Sequence, residues 1–293
     1  MALNKITYVD GQTVITASNL NNIQDSIITL ENSGVLNSNN AGFHNSIYRG
    51  KNLNGVYTIE QICSRISNGT FEDLFIGDYF DITISTAYSA NETVRCVLAG
   101  FDTYYMNGDT SFTNHHAVIV PKNCFNTTAS MNSTNTTEGG FIGSDMWKTV
   151  LPIYATAINS ALNGHLLTHR TLLTNSISTS LNSMAGAGWT GASNNWEWID
   201  TKLSLMNEVQ LYGSTALSSS FYDVGCDNLQ LPLFRLNPRS KIAGQGGTGD
   251  GRMWYWLRAV AGSASFCLCG LAGRASDGFA GNSGGVRPLF CIG

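Results

Sequence analysis

The first apolar pattern along the chain predicts a short amphipathic helix near residue 20. Its stripe has members that step by three, four and three residues: Leu20, Ile23, Ile27 and Leu30. Ser18 or Asn19 would cap the helix at its start. About a heptad and a half is too short for a stable isolated helix. The stripe must therefore pack on the rest of its own chain or form an oligomer seam with further copies.

The pattern becomes that of a globular body from Asn54 onward. Thr58 with Gln61 three residues later predicts a capping box, and the helix that follows should end at Gly69. We predict three segments on this basis: an attachment and oligomerisation segment over 1–35, a polar linker over 36–53, and a body over 54–293.

Within the body, alternating and helical spacings predict an α+β order. Alternation or short apolar runs predict strands over 79–84, 94–97, 116–120, 255–260 and 286–292. Helical spacing predicts helices over 144–162 and 203–212, closed by Gly164 and Gly213. The polar stretch 123–140 between them is expected to be a surface excursion.

Composition narrows the functional classes. Only 12% of residues are charged and the 16 Lys plus Arg are scattered in a chain of net charge -4, so no basic patch for nucleic acid is expected. No run of about 18 apolar residues predicts a membrane span, and the first residues do not resemble a secretion signal. We expect an unexported chain made in a cytoplasm, with seven scattered, reduced cysteines.

The chain carries no complete catalytic or metal-binding motif. Neighbours on a strand point to opposite faces, so at most one of His115 and His116 could join a metal site. His165 and His169 have the spacing of two zinc ligands on a helix, but the adjacent Glu of a zinc protease is absent. The glycine-dense stretch 244–251 lacks the Lys of a phosphate loop. We therefore predict no cofactor, no metal site and no catalytic residues.

The C-terminal residues have an unusual composition. Residues 257–293 contain no Lys, Glu, Gln, Met or Trp, although those five types occur throughout the preceding chain. They are the amino acids that no codon ending in a pyrimidine encodes. A segment diversified at the first two bases of its codons would have this composition, and so would a loop rich in Gly, Ala and Ser between two apolar strands.

Sequence motifs in three regions carry a resemblance to a known family. The C-terminal motif is a frame of Trp256-Leu257-Arg258, Phe266, Gly273, Ala275, Ala280, Ser283, Gly285-Val286-Arg287-Pro288 and Phe290. The upstream motifs are residues 76–80, 115–118, 131–140 and 205–209. The motif at the start of the chain is residues 9–16. The C-terminal frame resembles the variable repeat of proteins diversified by phage and bacterial retroelements, the major tropism determinant family. The upstream motifs are similar to the body of its prophage tail proteins, and the start is similar to attachment segments of phage fibre or baseplate proteins.

The resemblance implies a fold and a function. The body would have a C-type lectin fold of the formylglycine-generating-enzyme kind, with short irregular strands and a variable segment at about residues 255–290. The protein would be a tail-tip or fibre receptor-binding protein in the virion, adhering to a protein or glycan on a bacterial surface. It would contact other tail or baseplate proteins and form a homo-oligomer, expected to be a trimer through the stripe at 20–30.

The resemblance also places the receptor contacts. The expected exposed variable positions are Ser265, Leu268, Leu271, Arg274, Asp277, Phe279 and Asn282. Arg258 and Arg287, flanked by apolar residues, are expected to be partly buried and held by carboxylates or carbonyls. Two alternatives stay open. The first is an enzyme on the same fold, either an oxidase or a glycan hydrolase; a copper-dependent oxidase would need two thiols, for which Cys267 and Cys269 are the candidates. The second is a purely structural baseplate subunit.

Overall fold

The computed structural model describes residues 17–32, 41–110, 112–174, 196–218, 229–246 and 251–293. Helix and sheet are mixed, at 25% and 31%, which agrees with the predicted α+β order. None of the helices in these ranges is both long enough and apolar enough to cross a membrane.

The helices are short. In chain order they are α1 Ala17–Asn32, α2 Ala41–His44, α3 Ile59–Ser67, α4 Gly140–Gly143, α5 Leu151–Ala161, α6 Glu208–Tyr212 and α7 Pro232–Leu236. A π-helical turn over Met146–Val150 leads directly into α5, and a 3-10 turn over Pro238–Lys241 follows α7. The capping box of α3 is formed as predicted, with Thr58 and Gln61 each bonded to the other's backbone amide.

Thirteen strands are present in the described residues. In chain order they are β1 Tyr79–Ile84, β2 Glu92–Phe101, β3 Ala117–Pro121, β4 Leu166–Leu167, β5 His169–Thr174, β6 Trp196–Thr201, β7 Leu203–Leu205, β8 Ala243–Gly244, β9 Arg252–Met253, β10 Tyr255–Val260, β11 Ser265–Cys269, β12 Ala275–Phe279 and β13 Pro288–Ile292. The bounds of β1 and β10 are those that the sequence predicts.

The main sheet curls into a half-barrel, and the last strand of the chain lies inside it. Its order is β1-β2-β3-β13-β4, with β7 also paired to β13, and every pairing is antiparallel. All five residues of β13 are buried, from Pro288 to Ile292. The C-terminal residues are thus part of the core, and the segment before them is anchored from both ends.

A second sheet holds the segment that we expect to vary. β10, β11 and β12 form two successive antiparallel hairpins, with β11 in the centre. β10 is buried along its whole length, whereas β12 alternates between half-buried and exposed residues. The sheet therefore has one strand in the core and one at the surface.

One predicted helix is largely wrong. Leu203–Leu205 is a strand that pairs with β13, and only Glu208–Tyr212 is helical. Pairing with β13 holds these three residues in a strand, and Asn207 and Gln210 form a capping box that starts the helix five residues later than the apolar spacing indicates. Gly213 ends it in the left-handed conformation, as expected.

Three other boundaries also differ from expectation. Helix α1 begins at Ala17, so Ser18 and Asn19 lie inside it. Part of the predicted linker belongs to the body, because Leu53 is buried and Arg49 pairs with Asp78. The stretch 123–140 is not merely a surface excursion, because Met131 is fully buried.

Candidate functional site

The residues expected to bind a receptor lie on β11, β12 and the loops beside them. Within the sheet, Ser265 is paired with Phe279, and Cys267 with Asp277. Since side chains alternate along a strand, these four point to one face, and Phe266 and Leu268 point to the other. On this face Asp277 and Phe279 of β12 are exposed, whereas Ser265 of β11 is half-buried and Cys267 is fully buried, so the accessible part of the face lies on β12.

Five of the seven predicted positions are exposed. Phe279 has 58% of its surface accessible and Leu271 has 51%, both large values for apolar side chains. The other three exposed residues are Arg274, Asp277 and Asn282. We call these five residues the binding face.

The other two predicted positions are less accessible. Ser265 is half-buried. The expectation for Leu268 is wrong, because it is only 7% exposed and belongs to the hydrophobic core. It sits on the central strand of the sheet, opposite Trp256 on one side and Ser276 on the other, and faces inward. A residue in that position supplies packing, so it cannot vary freely.

Two glycines explain part of the frame after the variable positions. A Cβ on Gly284 would lie 2.2 Å from the Trp254 ring, and one on Gly285 would lie 2.6 Å from the Cys124 sulfur. Any larger residue would have to displace the partly buried Trp254 ring or the buried Cys124 thiol. The Gly-Gly pair before Val286 is therefore required by close packing.

The two framework arginines are buried as expected, at 2% exposure for Arg258 and 1% for Arg287. Arg287 donates from Nε to the Pro121 carbonyl at 2.8 Å and from Nη1 to the Tyr255 hydroxyl at 3.1 Å. Arg258 donates from Nη1 to the Ser204 hydroxyl at 3.2 Å. Both side chains tie the variable segment to strands or turns of the main sheet.

Sequence reasoning missed the support supplied by residues 128–137. The Asn135 side chain accepts from the Gly281 amide at 3.0 Å, and the Thr137 hydroxyl donates to the Gly262 carbonyl at 2.8 Å. The Ser283 and Thr128 hydroxyls bond at 2.7 Å. This segment therefore holds the loop that enters β11 and the loop that leaves β12, at the open end of the hairpin. Its motif at 131–140 was the signal that could have shown this.

Glu208, within the motif at 205–209, is a second supporting residue, to which the sequence analysis gave no role of its own. Its buried carboxylate accepts from the backbone amides of Ala216, Leu217 and Ser218 at 2.8 to 3.1 Å. The Ser218 hydroxyl in turn lies 3.8 Å from the Cys267 sulfur. A buried carboxylate thus fixes a loop against the central strand of the second sheet.

The cysteines of the variable segment are enclosed. Cys267 and Cys269 are both fully buried and form part of the core, so neither lies in an open pocket as a copper-type site would need.

Cysteines elsewhere in the fold are also buried. Burial raises the pKa of Cys63 to about 12, and it also raises the pKa of Cys96 and Cys291. Cys226 and residues 247–250 of the glycine-dense stretch lie outside the described residues.

The histidines occupy structural positions. His115 contacts Asp102 at 2.7 Å, and His116 accepts from the Tyr104 amide at 3.0 Å. His165 and His169 do not share a helix, since His169 begins β5. Across the ranges that the structure describes, no group of three His, Cys, Asp or Glu is placed to hold a metal ion.

His169 is buried, with 1% of its surface exposed. Burial, with smaller effects from His116 and Arg258, lowers the pKa of His169 to about 3. It is therefore neutral at physiological pH. Its ring lies 4.6 Å from the Tyr104 ring, between centroids, within the core.

Helix α1 exposes the three members of its apolar stripe whose side chains are described. Leu20, Ile23 and Ile27 are 55%, 49% and 48% exposed in the single chain. The side chain of Leu30, the fourth member, lies outside the described residues. The three exposed positions have the spacing of one face of a coiled-coil helix.

Comparison with known proteins adds no assignment. No family model matches the chain, and neither a curated protein nor a solved structure is significantly similar to it.

Proposed function

We propose that the protein is a receptor-binding protein of a phage or prophage tail, which adheres to a bacterial surface through the binding face. The supporting observation is the separation of two kinds of residue within 255–290. Leu271, Arg274, Asp277, Phe279 and Asn282 are exposed. Most of the framework is buried or half-buried: Trp256, Arg258, Phe266, Ala280, Val286 and Arg287 are buried, Gly273 and Ala275 are half-buried, and Ser283 is exposed.

This separation is what a diversified surface requires. Substitution at exposed positions changes stability by about 0.5 kcal/mol or less, whereas substitution of buried residues costs several times more. The framework is held by groups that the variable side chains do not supply, such as the Ala280 carbonyl, which accepts from the Met131 amide at 2.9 Å. The fold can therefore persist while the binding chemistry changes.

The binding face has the mixture of groups found at protein interfaces. Phe279 and Leu271 offer apolar contact, and Arg274 offers a planar guanidinium. Asp277 and Asn282 would orient a ligand through hydrogen bonds. We take Phe279 and Arg274 as the anchors, because aromatic residues and arginine carry the largest share of interface energy.

Oligomerisation through α1 completes the proposal. Three copies joined along the exposed stripe would present three binding faces, and linked sites raise avidity by orders of magnitude on a surface that repeats its receptor.

In this proposal the body has a C-type lectin fold of the formylglycine-generating-enzyme kind. The N-terminal segment joins other tail or baseplate proteins in the virion, and the protein is not an enzyme.

Labelled protein and a panel of bacterial strains test the proposal. The parent should adsorb saturably to some strains and not to others, and Phe279→Ala should reduce adsorption at unchanged folding. Val56→Ala, which truncates an exposed apolar residue outside the binding face, is the matched control. A near-copy of the 256–290 coding sequence beside a reverse transcriptase gene would support diversification. Absence of adsorption to every strain would favour a structural subunit.

A further inference from the structure

A cavity of about 330 Å³ lies among the start of the body, the main sheet and the 3-10 turn after α7. Its volume is within the range of small-molecule sites. Its lining includes four cationic side chains: Arg95, Lys122, Arg239 and Arg287. No Asp or Glu is among the lining residues. This is a local excess of positive charge in a chain whose net charge is -4.

Only one of the four cations is neutralised by a carboxylate. Arg95 forms a bidentate pair with Asp81, at 2.8 and 3.0 Å. Among the residues that the structure describes, Lys122, Arg239 and Arg287 form no ion pair. Three cations of the lining are thus not paired directly with a carboxylate of the described residues, and only Lys122 acts on one at longer range, Asp81.

Arg287 is the unusual member, because it is 1% exposed. Its hydrogen bonds use Nε and Nη1, and both acceptors are neutral oxygens, of Pro121 and Tyr255. The rings of Tyr255 and Phe234 lie 5.0 and 5.8 Å from its guanidinium carbon. Within the described residues, Nη2 has no hydrogen-bond partner. A buried cation without a counterion is costly, and an anion in the cavity would offset that cost.

The uncharged lining suits the rest of a small polar molecule. Asn237 and Ser240 offer donors and acceptors for hydroxyl groups, and Tyr48 presents an exposed aromatic ring. That ring lies over Gly77, where a Cβ would come within 2.3 Å of it. The glycine thus lets the tyrosine close one side of the cavity.

We propose that this cavity binds a monosaccharide-sized molecule that carries a phosphate or a carboxylate. The oxyanion is held by Lys122, Arg239 and the buried Arg287, since phosphates and carboxylates are the groups that guanidinium and ammonium donors bind most strongly. Asn237, Ser240 and Tyr48 contact the sugar ring. This site uses none of the residues of the binding face and does not depend on the receptor-binding proposal.

Isothermal titration of the full chain with glucose 6-phosphate, glucuronate and glucose tests this site. At least one of the two anions should bind saturably, and neutral glucose should not. The preferred anion identifies which group the cavity recognises. Lys122→Gln/Arg239→Gln should weaken that binding at least tenfold, and it should fold normally because both side chains are exposed.

A matched variant distinguishes the cavity from general charge. Lys202→Gln/Arg252→Gln removes the same charge from exposed positions outside the cavity and should keep the parent affinity. The proposal is overturned if neither anion binds, if glucose binds equally well, or if the two double variants lose affinity to the same extent. Full retention of anion binding by Lys122→Gln/Arg239→Gln would also overturn it.

Discussion

The indole Nε1 of Trp256 donates a hydrogen bond to the Ala129 carbonyl at 2.9 Å. This bond joins the first strand of the variable segment to a stretch of chain more than a hundred residues earlier. Gly284 pairs with the same Ala129 residue, so both ends of the segment are fixed to one point. Framework residues thus anchor the variable segment at both ends, and the predictions below follow from that arrangement.

Removal of a framework arginine should destabilise the fold. Arg258→Ala or Arg287→Ala should each cost about 3 kcal/mol or more, because the change leaves buried hydrogen-bond partners unsatisfied and opens a cavity. Arg252→Ala, at an exposed position, should change stability by about 0.5 kcal/mol or less. Urea denaturation measures all three. Equal stability of the three variants would place the two arginines outside the framework.

The Gly-Gly pair gives a second test of the framework. Gly284→Ala should lower the melting temperature by several degrees, since the new methyl group would overlap the Trp254 ring at 2.2 Å. Gly251→Ala is the matched control, because nothing lies within 4 Å of its added Cβ. Thermal unfolding followed by circular dichroism compares them. A Gly284→Ala variant that melts with the parent would contradict the packing described here.

The sequence predicted the parts of this fold whose signals are local. The capping box at Thr58 and the alternation of β1 depend on residues within a few positions of one another, and both are confirmed. The strand Leu203–Leu205 was missed because its three residues pair with β13, more than eighty positions later. Local spacing alone resembled a helix there, and long-range pairing decided the outcome.

At the candidate site, too, some features could be predicted from the sequence and others depend on long-range contacts. Phe279 and Arg274 are exposed, as the family resemblance implies. The burial of Leu268 could not be predicted in this way, because it depends on the central position of β11 between β10 and β12. Asn135 and Glu208 lie within the motifs at 131–140 and 205–209, but the partners that each one holds could not be predicted, since these contacts are distant in sequence or specific to a loop.

Acid should destabilise the protein through His169. Its pKa is lowered from 6.5 to about 3 by burial, so between these values the unfolded chain binds a proton that the folded chain does not. Stability therefore falls as the pH drops through that window, by at most about 1.4 kcal/mol per pH unit for one such group. The free energy of unfolding from pH 7.5 to 5.0 measures it.

A histidine variant isolates this contribution. His169→Gln should lose less stability than the parent between pH 6.5 and 5.0, whatever its stability at neutral pH. Above pH 7 the two curves should run parallel, which is the internal control. Parallel curves across the whole range would show that His169 titrates in the folded state as it does in the unfolded chain.

The exposed stripe of α1 should form the interface between copies. Light scattering at micromolar concentration should give the mass of an oligomer, expected to be a trimer. Leu20→Ser/Ile23→Ser/Ile27→Ser should reduce it to the monomer, because burial of these side chains drives helix association. Asn21→Ser/Gln24→Ser, which changes other exposed positions of the same helix, should leave the mass unchanged. A trimer that survives the triple substitution would place the interface in the body.

The most direct test of receptor binding replaces the binding face as a set. Leu271→Ser, Arg274→Ser, Asp277→Ser, Phe279→Ser and Asn282→Ser are combined in one protein, and adsorption to the panel of bacterial strains is compared with that of the parent. Circular dichroism and light scattering report its fold and oligomeric state. The account predicts unchanged fold and mass with adsorption lost or redirected to other strains. A well-folded variant that adsorbs to the same strains as strongly as the parent would contradict it.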